Sequence, residues 1–157
     1  MKVEYVQPFA AAAVDVLKAE LGVEVQRGEL SLHTDDFTTR EVTVLIGITG
    51  EVEGTALYGA DRETVNRMVT IMIGEPQTEF DETSMSAIAE LGNVISGHAA
   101  AIFERQGIDC TISPPTVIVG AGTRLSTVGI PRLVIPFNTE IGTFEVAVSL
   151  REPRARR

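Results

Sequence analysis

The sequence predicts an α+β fold in which a mostly antiparallel sheet of about six strands packs against three helices. Two observations support this prediction. Three segments carry apolar residues at helical spacing, and a glycine follows the end of each. Around them, β-branched stretches alternate apolar and polar residues, which is typical of antiparallel strands. Because the chain has only 157 residues, we expect one domain over residues 1–150 and a short tail over residues 151–157.

The first half of the chain begins with a helix over about residues 8–21. Pro8 suits the first turn of this helix, and Gly22 suits its end. Three strands are then expected, over about residues 23–33, 41–49 and 51–58. Asp61 can cap a second helix over about residues 62–73, which Gly74 ends.

The second half begins with the most clearly signalled helix, over about residues 81–105. Asp81 can cap it, and Phe80 and Met85 occupy the two positions of a hydrophobic staple. Strands are then expected over about residues 116–119, 125–128, 132–138 and 143–150. The segments that start at Ile46 and Ile135 have a similar layout, which leaves open an internal duplication of an α-β unit.

Composition and charge exclude several classes of function. Thirteen Lys and Arg against 22 Asp and Glu give a formal net charge of -9, opposite in sign to the surface of a nucleic-acid binder. The sequence has no long uncharged apolar segment that would serve as a membrane anchor. A lone cysteine, Cys110, fits a reduced compartment, so we expect a cytoplasmic protein without nucleic-acid or membrane partners. The tail carries four arginines and is expected to be a solvated chain end.

Motifs for metals, nucleotides and covalent catalysis are absent from the sequence. His33, His98 and Cys110 do not stand at metal-ligand spacing, so no metal site of the chain's own is expected. The Gly120-Ala-Gly122 segment lacks the third glycine and the helix of a dinucleotide-binding motif, which favours a simple turn. The sequence also contains no G-x-x-x-x-G-K phosphate loop and no G-x-S-x-G nucleophile elbow.

One side of the third helix carries an unusual set of residues. Ser86, Glu90, Asn93 and Gly97 follow one another at spacings of four, three and four, so they form a single stripe opposite the apolar side. An ordinary polar helix face is the alternative interpretation. However, outward positions usually carry long charged residues, and an interior glycine costs about 1 kcal/mol relative to alanine. Gly92 on the apolar side is explained by close packing on the sheet, whereas Gly97 favours the close approach of another surface.

The same residues resemble a known motif. Ser86-Ala-Ile-Ala-Glu90-Leu-Gly-Asn93, followed by Pro114-Pro115, resembles the S/D-x-x-x-E-x-x-N motif of the CheC/CheX/FliY chemotaxis phosphatases and is most similar to the CheX type. The segment 47–54 is similar to the one that precedes the second helix in CheX-type proteins. The resemblance extends from the first helix to Leu150 and implies a CheC-like fold. The first helix has no E-x-x-N, so a single motif is present.

The resemblance also implies a function. It implies a phosphatase, a hydrolase that acts on the phospho-aspartate of a CheY-like response-regulator receiver in two-component signalling. In this family the counterpart of Glu90 contacts the receiver's active-site lysine, and the counterpart of Asn93 orients the attacking water. Ser86 and Gly97 are then expected to contact the receiver, and Mg²⁺ is expected to be supplied with the phosphorylated receiver rather than by a cofactor site of this chain. A homodimer is implied as well, and sheet edges left unpaired in a monomer support it.

Two other functions stay open at this point. A non-catalytic adaptor of the same fold would bind a receiver or a flagellar-switch component through the same helix, and the absence of turnover would identify it. A dimeric sensor or scaffold would bind a ligand at Gly120–Gly122, which requires a pocket there.

Overall fold

Three helices lie on one face of an antiparallel sheet in the structure, a computed structural model that describes residues 2–153. After a 3-10 turn, the α-helices of these residues are α1 (Gln7–Leu21), α2 (Arg62–Ile73) and α3 (Glu82–Arg105). The strands are β1 (Gln26–Arg27), β2 (Ser31–His33), β3 (Phe37–Thr38), β4 (Val42–Gly50), β5 (Glu53–Ala60), β6 (Cys110–Ile112), β7 (Thr116–Val119), β8 (Arg124–Leu125), β9 (Arg132–Thr139) and β10 (Gly142–Arg151). Within residues 2–153, none of the helices combines the length and the apolar character needed to cross a membrane.

Across residues 2–153, the main sheet has eight strands and is built around two long hairpins. Its order is β1-β9-β10-β5-β4-β6, with β2 also paired to β9 and β7 also paired to β4. The hairpins β4–β5 and β9–β10 meet where β5 pairs antiparallel with β10, and Tyr58 stands opposite Val146 in that pairing. The remaining strands, β3 and β8, pair with each other in a small second sheet.

The two halves of the chain repeat one arrangement, which confirms the duplication suggested by the sequence. Each half runs through a helix, three short strands and a long hairpin, with α2 between the halves. The pairings are reciprocal: β1 and β2 of the first half pair with β9, while β6 and β7 of the second half pair with β4. The segments that begin at Ile46 and Ile135 lie on the equivalent strands β4 and β9. Each half thus supplies edge strands to the long hairpin of the other half.

The core lies between the helices and the sheet. Every second side chain of the four long strands faces the helices, and Ile46, Tyr58, Ile135 and Val146 are at most 1% exposed there. A smaller apolar cluster on the other face contains Leu57, Val134 and Ala147, with Leu45 and Leu125 packed against it. Helix α3 packs on α1 and on the strands β4, β6 and β7, so both the core and one sheet edge support it.

The prediction of about six strands is too low, and the reason is the length of the missing strands. Strands β1, β2, β3, β6 and β8 have two or three residues each, too few to show an alternating pattern. The single strand expected over residues 23–33 is divided at Gly28, whose backbone N–H donates to the Pro136 carbonyl at 2.7 Å. The strand expected over residues 125–128 ends at Leu125, and Val128 has a φ of 37°, outside the extended region.

Strand β10 extends to the first residue of the expected tail. Arg151 ends β10, and its guanidinium donates to Glu53 at 3.0 Å, because the β5–β10 ladder continues to this pair. The rest of the four-arginine tail, residues 154–157, lies outside the described residues.

We predict that the protein is a homodimer joined through strand edges. Strand β7 pairs with β4, and Val119 at its end is 42% exposed. Strand β2 at the opposite edge carries Leu32, which is 59% exposed. Unpaired, partly apolar edges are sites of strand pairing between chains. Light scattering at micromolar concentration should give twice the chain mass of 16.9 kDa. A mass of 16.9 kDa would contradict the dimer.

Candidate active site

Helix α3 begins at a well-defined N-terminus. The Asp81 carboxylate accepts a hydrogen bond from the Ser84 backbone N–H at 3.0 Å, and the Ser84 hydroxyl accepts one from the Asp81 N–H at 3.3 Å. The Gln77 amide donates to both side chains at 2.9 Å. The hydrogen bond from the Ser84 N–H is the main reason that the pKa of Asp81 lies below its ordinary value, and Gln77 adds to the effect. The cap predicted from the sequence is therefore present and charged at neutral pH.

The buried side of α3 approaches the sheet closely at Gly92. A Cβ atom at this position would lie 3.0 Å from Val44 Cγ1 and 3.3 Å from Tyr58 Cδ2. Farther along the helix, Phe103 packs edge-on against Phe9 of α1, with ring centroids 6.0 Å apart. The predicted role of Gly92 in close packing is confirmed, because its missing side chain lets the helix backbone rest directly on β4 and β5.

The opposite side of α3 carries the stripe of small and polar residues. Ser86 and Glu90 are exposed, and Asn93 and Gly97 are half-buried. Among residues 2–153, the side chains of Glu90 and Asn93 have no hydrogen-bond or ion-pair partner. A Cβ atom at Gly97 would meet nothing within 4 Å, so no contact inside the chain requires a glycine there. The helix therefore presents a carboxylate and a carboxamide, one turn apart, to groups outside the chain.

The proline pair of the motif belongs to the part of the sheet that α3 covers. Pro114 and Pro115 connect β6 to β7, and both strands pair with β4 beneath the helix. Proline cannot donate a backbone hydrogen bond, which agrees with an interruption between two short edge strands at this point. The two parts of the sequence motif thus lie on neighbouring elements.

The duplicated fold shows why the chain carries a single motif. Gly22 and Gly107, both in the left-handed conformation, follow the ends of the equivalent helices α1 and α3. When these two glycines are aligned, Tyr5 stands where the second half has Glu90, and Pro8 stands where it has Asn93. Helix α1 begins only at Gln7, so it lacks the N-terminal turns that carry Ser86 and Glu90 in α3, and it has a proline at the position of Asn93.

The remaining candidate residues do not join this stripe. His98 is exposed, and Cys110 is half-buried on β6, where burial raises the pKa of its thiol. No group of three or more His, Cys, Asp or Glu side chains placed to hold a metal ion occurs among residues 2–153. At the glycine turn, the amides of Gly120 and Gly122 donate to the chain's own carbonyls, at 2.8 Å and 3.1 Å, which explains the turn without a ligand.

A buried hydrogen bond between the site helix and the sheet was not found from the sequence. The hydroxyl groups of Tyr58 on β5 and Ser96 on α3 are hydrogen-bonded at 2.7 Å. A serine among the apolar positions of a helix, one turn after Gly92, is a weak signal for such a contact. Its partner on a distant strand could not be identified without the fold.

Comparisons with a family model, with a curated protein and with solved structures all find CheX proteins. The family model described as chemotaxis phosphatase CheX matches residues 42–138. The protein named CheY-P phosphatase CheX from Thermotoga maritima is 30% identical over 131 residues, which are 83% of this chain and 84% of that protein. The crystal structure of the chemotaxis protein CheX from Desulfovibrio desulfuricans has a TM-score of 0.84 and 27% identity, over 96% of this chain and 100% of that one. The CheX-CheY-BeF3-Mg²⁺ complex from Borrelia burgdorferi contains a chain with a TM-score of 0.84 and 28% identity, over 96% of this chain and 100% of that one.

The family model matches more than half of the chain, and the Thermotoga protein is similar over most of its own length. The fold agrees with both findings, because a CheC-like structure and a CheX structure match it over 96% of the chain, with TM-scores of 0.87 and 0.84. This chain belongs to the chemotaxis phosphatase CheX family.

Proposed function

We propose that this chain removes the phosphoryl group from the phospho-aspartate of a CheY-like receiver domain. The observation that carries the proposal is the exposed side of α3, where Glu90 and Asn93 lie one turn apart and have no partner within residues 2–153. The Thermotoga relative is named as a phosphatase of CheY-P, and the Borrelia relative was crystallised with CheY. A helix face with side chains free to contact other molecules suits a reaction at the surface of another protein.

The reaction needs little covalent chemistry from the chain. A water oxygen forms a new bond to phosphorus while the bond from phosphorus to the aspartate oxygen breaks, which yields inorganic phosphate and a free carboxylate. An acyl phosphate is already reactive, so the main requirement is to hold the water in line with the breaking bond. The Asn93 carboxamide suits this role because it can accept a hydrogen bond from the water and donate another without becoming charged.

Glu90 is assigned to the receiver rather than to the water. Its Cβ lies about 5–6 Å from that of Asn93, as for any pair three residues apart on a helix. An exposed carboxylate at that distance can pair with a cationic side chain beside the phosphoryl group, such as the active-site lysine of the receiver. This pairing would fix the helix over the acyl phosphate and bring Asn93 to the attack position.

Ser86 and Gly97 complete the proposed contact surface. They lie at the two ends of the stripe, one turn beyond Glu90 and one turn beyond Asn93, and both have small side chains. The open space above Gly97 allows the receiver backbone to approach the helix more closely than a larger residue would permit. Mg²⁺ enters this account as part of the receiver, as its presence in the Borrelia complex suggests.

Multiple-turnover dephosphorylation tests the proposal. The receivers of the host organism are phosphorylated with a small-molecule phosphodonor, separated from it, and mixed with a small molar fraction of this protein and Mg²⁺. We expect loss of the acyl phosphate from at least one receiver to become much faster, with many receivers processed per chain. Stable binding without acceleration would overturn the phosphatase and support the alternative, a non-catalytic adaptor.

A further inference from the structure

A buried hydrogen bond connects the site helix to the middle of the sheet. The hydroxyl groups of Tyr58 and Ser96 are 2.7 Å apart, and both residues are at most 1% exposed. Burial raises the pKa of Tyr58 far above its ordinary value, so both hydroxyls are neutral at physiological pH. One of the two hydroxyls donates to the other, and both lie in the buried core, where losing this partner would leave a polar group unsatisfied.

Tyr58 contacts α3 a second time, one turn earlier. The position of a Cβ at Gly92 would be 3.3 Å from the Tyr58 ring and 3.0 Å from Val44. Gly92 and Ser96 are four residues apart, so both face the sheet. Asn93 directly follows Gly92, so its half-buried side chain points about 100° around the helix from that position. Tyr58 therefore contacts α3 on both sides of Asn93 in sequence: its ring packs close to the backbone at Gly92, and its hydroxyl bonds to Ser96.

Tyr58 is itself firmly placed. It lies in the central strand β5, paired with Val44 on β4 and with Val146 on β10. Its ring stacks on Phe144, with centroids 6.0 Å apart and an interplanar angle of 22°. The Tyr58 side chain thus extends from a strand that is paired on both sides, and its ring is held by Phe144.

We infer that Tyr58 and Ser96 are positioning residues for the turn of α3 that carries Asn93. Apolar packing attracts without direction, so by itself it tolerates small rotations or sliding of a helix on a sheet. A hydrogen bond between two buried hydroxyls is directional, and the missing Cβ at Gly92 sets how deep the helix lies. Together the two contacts fix the rotation and height of the turn that carries Asn93. The inference depends on the proposed function, because it assigns these residues a role in that reaction.

Removal of the hydrogen bond should lower kcat and leave KM nearly unchanged. In Tyr58→Phe and Ser96→Ala the exposed contact surface is intact, but the water-orienting amide loses its fixed position, so we expect kcat to fall about tenfold. The matched control is Ser149→Ala. Ser149 is also buried and hydrogen-bonded, to the carbonyls of Ile130 and Pro131, but it lies on the opposite face of the sheet. This control should lose stability without losing kcat per folded molecule.

The double variant separates positioning from stability. Ser96→Ala alone leaves the buried Tyr58 hydroxyl without a partner, whereas the combination of Tyr58→Phe and Ser96→Ala removes both polar groups. We therefore expect the double variant to recover thermal stability relative to Ser96→Ala while its kcat stays low. Recovery of kcat together with stability, or a kcat equal to that of Ser149→Ala, would overturn the inference.

Amide hydrogen exchange gives a readout that does not depend on turnover. In the double variant, exchange at residues 90–97 should become severalfold faster than in the parent, while α1 and the Ser149→Ala control should not show this local change. An unchanged exchange rate at residues 90–97 would contradict the inference that Tyr58 and Ser96 hold this turn in place. Failure of the proposed function would be a different outcome. In that case the parent protein itself would not dephosphorylate any receiver, whatever the exchange measurement shows.

Discussion

Asn93→Ala should abolish most receiver dephosphorylation while the complex with the receiver still forms. The substitution removes the carboxamide proposed to hold the attacking water, and loss of a correctly placed nucleophile is expected to lower kcat by about 100-fold or more. Asn93 is half-buried and has no hydrogen-bond partner within residues 2–153, so the fold should not suffer. Alanine has the higher helix propensity, and thermal stability should stay the same or rise slightly.

Asn138→Ala is the matched control for this prediction. Asn138 is an exposed asparagine on β9, where its side chain accepts a hydrogen bond from Thr143 at 2.9 Å. It lies away from α3, so its removal should leave turnover at the parent level. An Asn93→Ala protein that dephosphorylates its receiver as fast as the parent would remove Asn93 from the mechanism and support the adaptor function.

Glu90→Ala should impair both binding and turnover, in contrast to Asn93→Ala. The proposed partner of Glu90 is a cation on the receiver, and removal of one member of an interfacial charge pair typically costs about 2 kcal/mol or more. At that magnitude the Kd for the phosphorylated receiver rises by about 30-fold. The value of kcat should fall as well, because the same contact places Asn93 over the acyl phosphate. Titration calorimetry with a stable receiver-phosphate analogue, beside steady-state kinetics, measures the two effects separately.

Glu104→Ala provides the control for a lost negative charge on the same helix. Glu104 is exposed near the end of α3, about 20 Å from Glu90 along the helix axis. A general electrostatic effect of the acidic surface would weaken binding similarly in both variants. The proposed direct contact predicts a large effect for Glu90→Ala and little for Glu104→Ala. Equal effects in the two variants would contradict the assignment of Glu90.

The elements with local signals were predictable from the sequence. The bounds of α2, Arg62–Ile73, agree with the prediction because Asp61 caps one end and Gly74 adopts a left-handed conformation at the other. The short strands were not predictable, since two or three residues carry no period and their pairing depends on the exchange of edge strands between the halves. Tertiary pairing, rather than local propensity, decides these parts of the fold.

The candidate site also has a part that was predictable from the sequence and a part that was not. The common face of Glu90 and Asn93 follows from helix geometry alone, so their spacing was sufficient to place them together. The contact between Tyr58 and Ser96 joins residues 38 positions apart, and no local pattern relates them. What the sequence could not supply was the depth and rotation of the helix on the sheet, which depend on packing at Gly92.

The central claim is that this chain accelerates the chemical step of receiver dephosphorylation by orienting a water through Asn93. A single-turnover measurement tests it most directly, with the phosphorylated receiver fully bound by an excess of this protein, so that differences in affinity have no influence. The account predicts a first-order loss of acyl phosphate far faster than the receiver's own rate, and a return to nearly that rate with Asn93→Ala. A parent protein that binds the receiver but leaves the bound acyl phosphate decaying at the receiver's own rate would contradict it.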